Sequence, residues 1–158
     1  MTDALEKRIQ RLEDIEAIKG LKSLYCQYCD DNYNPEKLGE LFTEDAVWDG
    51  GTEWGAYHGK AAIKEALKKF AEGILWAVHY VAAPHIEVKG DVAYGGWYGL
   101  GFGVLRKNDQ AYITSAFYND EYKKIGGRWY MSKVKIKRNF LSPYEKGWAK
   151  ERVMKPLK

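Results

Sequence analysis

The sequence predicts an α+β domain: three N-terminal helices packed on a strongly curved antiparallel sheet, forming a cone-shaped α+β barrel. Three observations carry that expectation. Apolar residues recur at helical spacing through residue 74. Strand-like segments fill the rest, so the two element types come in runs rather than in alternation. The long strand expected over 92–106 carries five glycines, residues that mark bulges and bends in a sheet.

The elements follow in order. Leu5, Ile9, Leu12, Ile15, Ile18, Leu21, Leu24, Tyr25 and Tyr28 give one long amphipathic helix with Glu, Lys and Arg on its other face. It ends near Asp30-Asp31-Asn32, and Asn34-Pro35 opens a short second helix containing Leu38, Leu41 and Phe42. A brief strand, Ala46-Val47-Trp48, precedes a Gly-rich and aromatic loop over 50–59. A third helix covers 60–74, with Ile63, Leu67, Phe70 and Ile74 on one face. Strands then cover 77–88 (broken by Pro84), 92–106, 110–124 and 128–140. Residues 1–142 are expected to form the domain. Residues 143–158 form a C-terminal extension that wraps a neighbour or caps the pocket.

Composition narrows the function. The chain has 158 residues and a net charge of +3, with basic and acidic side chains interleaved, so nucleic acid is not an expected partner. The stretch from Lys133 to Arg138 alternates with Val134 and Ile136 and reads as the solvated side of a strand. Aromatics make up 15% of residues, and aromatic walls suit flat or apolar ligands. Tyr28 on the first helix and Trp97 on the long strand are candidates for such walls. Cys26 and Cys29 have C-x-x-C spacing but lie inside a helical pattern, so free buried thiols are expected. No signal peptide and no apolar run of membrane length is visible, so a cytoplasmic protein without membrane association is expected.

Three histidines are present. His58 sits in a loop, and His85 shares a solvent-facing side with Glu87. His79 lies within Trp76-Ala77-Val78-His79-Tyr80-Val81, an otherwise apolar strand. A buried imidazole needs a partner for its N–H. Asp30 is the candidate, with Asp31 the alternative. A carboxylate on one ring nitrogen fixes the tautomer and makes the other nitrogen a better base. In the last strand the period of two places Arg138 with Val134 and Ile136, facing the pocket, where a cation stabilises an anionic intermediate or leaving group. The sequence offers no metal-ligand cluster, and no cofactor is expected.

The segments Asp14 to Lys22 with Tyr25 and Asp30, Leu41 to Trp48, and Phe117 to Tyr122 with Gly127 and Trp129 resemble the SnoaL-like family of the nuclear-transport-factor-like superfamily. The likeness covers nearly the whole chain. It implies dehydratase-type chemistry without a cofactor, with Asp30 and His79 as the working pair and Tyr25 and Arg138 as further catalytic groups. It also implies Trp48 and Tyr118 as pocket walls, and a homo-oligomer, a trimer ahead of a dimer. One departure concerns the bile acid dehydratase branch, which carries a further Asp on the long strand where Gly101 stands here. With Gly99 and Gly103 on the same side, side-chain-free rungs are expected to enlarge the cavity for a steroid-like or two-ring aromatic substrate.

The leading reading is therefore a lyase eliminating water from a bulky apolar molecule. Release of formaldehyde from a lignin-derived diaryl compound, or an isomerase or cyclase, are near alternatives. A non-catalytic ligand- or protein-binding module and a partner subunit of an oxygenase are readings of other classes.

Overall fold

The computed structural model describes residues 2–153. Helix α1 (Thr2–Asp30) is followed by α2 (Pro35–Gly39), β1 (Phe42–Asp49), a single turn α3 (Gly51–Trp54), β2 (Ala56–His58) and α4 (Lys60–Gly73). Four long strands come next: β3 (Ile74–Lys89), β4 (Val92–Leu105), β5 (Gln110–Ile125) and β6 (Arg128–Pro143). A short turn of helix, α5 (Gly147–Lys150), follows. All six strands form one curved sheet in the order β2-β1-β6-β5-β4-β3, and the helices close its concave side. The α+β cone expected from the sequence is the fold observed.

Three features differ from expectation. The sheet is mixed, because β1 runs parallel to β6. The segment 50–59, expected to be a loop, contains α3 and the edge strand β2, which pairs antiparallel with β1. Pro84 does not break β3. The strand continues through a register shift between Ala82 and His85, with Ala83 at φ 48°. That is a bulge, the feature that bends a strand without ending it.

Local chemistry explains the joints. The Asn34 side chain accepts from the Lys37 backbone N–H, and Pro35 fills the first helical position of α2, where its missing N–H is not needed. The β5–β6 turn uses Gly126 and Gly127 at φ 58° and 82°, the paired positive φ of a tight hairpin. Only the second half of α1 packs. Ile18, Leu21, Tyr25, Cys26 and Cys29 are buried, whereas Leu5, Ile9 and Leu12 are exposed, although their spacing continues the same stripe. Asp14 marks the point where packing begins, accepting from Trp129 Nε1 at 2.9 Å and Lys124 Nζ at 2.8 Å. These bonds tie α1 to the β5–β6 hairpin. Beyond β6 the chain folds back on it: Trp148 stacks on Phe140 at 5.0 Å and Val153 bridges to Leu141. No described helix is long and apolar enough to cross a membrane.

Candidate functional site

The cone opens on a hollow of about 680 Å³ when the open space at its mouth is counted. Helix α1 forms part of its wall. Tyr25 and Cys29, one turn apart, both face the hollow. Tyr28, a candidate wall residue, does not line it. It lies about 100° around the helix from Cys29, half-buried, with the Lys37 ammonium 5.7 Å from its ring.

Asp30 and His79 meet. The register of β3 sets His79 opposite Gly101 of β4. Its Nδ1 lies 2.7 Å from Asp30 Oδ1 at the end of α1. The pair does not sit in a water-free interior, as expected from the sequence. Its side chains are 19% and 29% exposed, because Asp30 is the last residue of α1 and stands at the rim. His58 and His85 are exposed and belong to no such pair.

The second imidazole nitrogen has a partner that the sequence did not reveal. Tyr33 Oη lies 3.3 Å from His79 Nε2. Two consecutive residues in the left-handed region, Asn32 (φ 53°) and Tyr33 (φ 51°), turn the chain back so that this phenol enters the wall. Asn adopts that conformation readily. Tyr does so only at a cost of order 1–3 kcal/mol. Burial pushes the Tyr33 hydroxyl well above its ordinary pKa, so it keeps its proton. Tyr112, which also lines the hollow, is pushed up to about 12 by burial, with Arg138 pulling the other way.

The remaining candidates divide. Tyr25, Trp48, Gly101, Tyr118 and Arg138 all line the hollow. Tyr25 Oη accepts from Trp48 Nε1 at 2.9 Å. Arg138 reaches the hollow with Ile136, as the period of two predicts. Trp97 does not line it. Trp97 lies on the same side of β4, but its indole N–H donates to Tyr122 Oη at 3.0 Å beneath the floor, an acceptor that a buried Trp requires. The glycines act differently from expectation. A Cβ at Gly99 would fall 2.5 Å from a Tyr118 ring atom, and one at Gly103 would fall 2.4 Å from Tyr112 Oη. Those two rungs are seats for tyrosine rings rather than empty volume. Gly101 does border the hollow, and a Cβ there would lie 3.8 Å from His79 Cδ2.

Beneath the floor lies a buried charge pair. Lys22 Nζ is 2.7 Å from Asp120 Oδ2, and both side chains are fully inaccessible. Tyr122 Oη donates to the same oxygen at 3.0 Å. The ammonium sits 3.8 Å from the Tyr118 ring centroid and 4.7 Å from that of Tyr25, a cation–π arrangement that fixes two wall residues from behind. Cys26 and Cys29 are free and buried. Burial pushes Cys26 up to about 11 and Cys29 well above its ordinary value, so neither is a ready nucleophile. Among the described residues no three His, Cys, Asp or Glu side chains gather to hold a metal ion.

Tyr112, Trp54, Phe70 and Cys29 are among the lining residues that sequence reasoning did not assign to the site. For Tyr112 a signal existed, since it keeps the period of two with Thr114. The same period runs on through Ala116 to Tyr118, and all four line the hollow, since the extra residue of the irregularity at this point, Asn139, lies on β6.

No curated protein gives a significant match. Among solved structures, the chain is similar to a hexachlorocyclohexane dehydrochlorinase (type 2), with 26% identity and a TM-score of 0.78 over 86% of this chain and 92% of that one. The type 3 dehydrochlorinase from Novosphingobium barchaimii gives 25% identity and a TM-score of 0.78, over 86% and 93%. A scytalone-dehydratase-like protein of Novosphingobium aromaticivorans gives 23% and 0.79, over 91% and 92%, a likeness of fold. Residues 10–135 match the SnoaL-like domain, and the chain belongs to that family.

Proposed function

We propose that the chain is a cofactor-independent lyase that begins an elimination by taking a proton from carbon, on a bulky and mostly apolar small molecule. The observation that carries this reading is the 2.7 Å bond between Asp30 and His79 at the wall of an aromatic hollow. The similarity to dehydrochlorinases, lyases by name, supports the same class of chemistry.

In this mechanism the ligand displaces the Tyr33 hydroxyl from His79 Nε2, and that nitrogen takes the proton. The imidazolium forms against the Asp30 carboxylate, which stabilises it and holds the ring in orientation. Tyr25, held from behind by Trp48, orients the leaving oxygen. Arg138 offsets negative charge that develops on the substrate. The proton removed by His79 departs with the leaving hydroxyl as water, so the protein returns to its starting state without a co-reactant. The reading carries a homo-oligomer with it, a trimer ahead of a dimer. Trp76, Tyr80, Tyr98 and Leu100 stand exposed on β3 and β4, and an apolar patch of that kind favours burial against another copy.

The test is turnover of hydroxylated two-ring and steroid-like compounds, followed by absorbance of the new double bond. His79→Gln and Asp30→Asn should each lose about 10²–10⁴-fold in rate while keeping the native circular dichroism. Equal turnover by wild type and His79→Gln sinks the reading. Tight binding with no turnover by the wild type puts a binding module in its place.

A further inference from the structure

The indole nitrogen of Trp54 is shut off from solvent and meets no acceptor among the described residues. A buried donor without a partner ordinarily costs about 1–3 kcal/mol, and folded proteins retain few of them without a reason. Trp54 lines the hollow. Its ring stands edge-on to Phe70, with centroids 5.0 Å apart, and the Arg138 guanidinium carbon lies 5.3 Å from its centroid. One N–H donor and one positive charge therefore share this part of the wall.

The position of Trp54 in the chain adds to this. It ends the α3 turn, which joins β1 to β2 and is bounded by Gly51 at φ 75° and Gly55 at φ 80°. Glycine meets the least steric resistance there. A Cβ at Gly50 would lie 2.6 Å from both the Trp48 ring and Trp54 Cβ. The absence of a side chain at residue 50 is what lets the two tryptophans close on the same corner of the pocket.

We propose that Trp54 and Arg138 form a receptor for an oxygen acceptor on the ligand, a carbonyl or comparable oxygen. The turn shifts on binding, the indole N–H donates to that oxygen, and the guanidinium flanks it. This rests on the reading of the hollow as the substrate pocket and narrows the substrate class: the ligand carries an oxygen that accepts a hydrogen bond and is not a bare hydrocarbon or halocarbon.

Two probes of nearly equal size decide the matter, 2-tetralone and its hydrocarbon counterpart tetralin. The readout is the indole N–H spectrum of ¹⁵N-labelled full-length protein. The Trp54 signal is identified by its loss in Trp54→Phe, or by its cross-relaxation with Phe70 should that variant not fold. The ketone should bind about two- to tenfold more tightly than the hydrocarbon, the range expected for one net hydrogen bond. It alone should move the Trp54 indole proton downfield, and Trp54→Phe should abolish the preference. Equal shifts with both probes, a preference retained in Trp54→Phe, or no response of Trp54 to either probe overturns the proposal. Binding is read without turnover, so loss of the lyase reading would leave this result standing.

Discussion

Replacing Lys22 by Met tests what lies under the pocket floor. The ammonium and the Asp120 carboxylate are 2.7 Å apart and both are fully inaccessible. With Lys22 gone, Oδ2 keeps only the Tyr122 donor, and Oδ1 already has no partner among the described residues. An uncompensated buried charge of this kind destabilises by about 3–5 kcal/mol. Adding Asp120→Asn removes the charge and should recover about half of the loss, so the double variant should be roughly 2 kcal/mol more stable than Lys22→Met alone. The assay is urea unfolding followed by far-ultraviolet circular dichroism. The pH dependence sharpens it. Burial pushes the Asp120 carboxyl up, although Lys22 and Tyr122 pull it down, and losing Lys22 raises it further. A carboxyl raised by folding favours the folded state below its unfolded pKa, and that contribution is lost as pH rises through the folded value. The Lys22→Met deficit should therefore shrink on acidification from pH 8 to pH 5. If the single and double variants are equally destabilised at every pH, the loss comes from packing and the reasoning fails.

Asp14 should behave in the opposite sense. Burial pushes its carboxyl up, but Lys124, Trp129 and Gln10 together hold it below its ordinary value, so its contribution exists above the unfolded pKa and is lost as pH falls through the folded one. Asp14→Asn should lose about 1–2 kcal/mol at pH 7, with the gap to wild type closing between about pH 5 and 2; a gap that ignores pH refutes the assignment. Tyr80 and Tyr98, 57% and 60% exposed, should become buried in the proposed assembly. Sedimentation should show a Tyr80→Glu/Tyr98→Glu double variant at lower mass than wild type, and a monomeric wild type would end that proposal.

The sequence carried the fold wherever pattern is local. Periodicity alone placed the three principal helices and the four long strands, and the Gly126-Gly127 turn fixed the last hairpin. It did not carry the parallel pairing of β1 with β6, which joins residues some ninety positions apart through register alone. Within the site, Asp30 and His79 were legible because each is an ionisable group in phase with apolar neighbours. Tyr33 was not, since its place depends on two left-handed residues that pattern does not encode. Trp97 shows the limit of alternation, which assigns a residue to a side of the sheet but not to a depth along the cone.

The seating of Tyr118 and Tyr112 over Gly99 and Gly103 puts control of the hollow's calibre on a strand that gives it almost no side chains. A single methyl group on either rung acts as a wedge behind a phenol, driving the ring forward into the space a ligand would fill. The bore of the hollow is thus adjustable from behind the wall, with Asp30 and His79 left untouched.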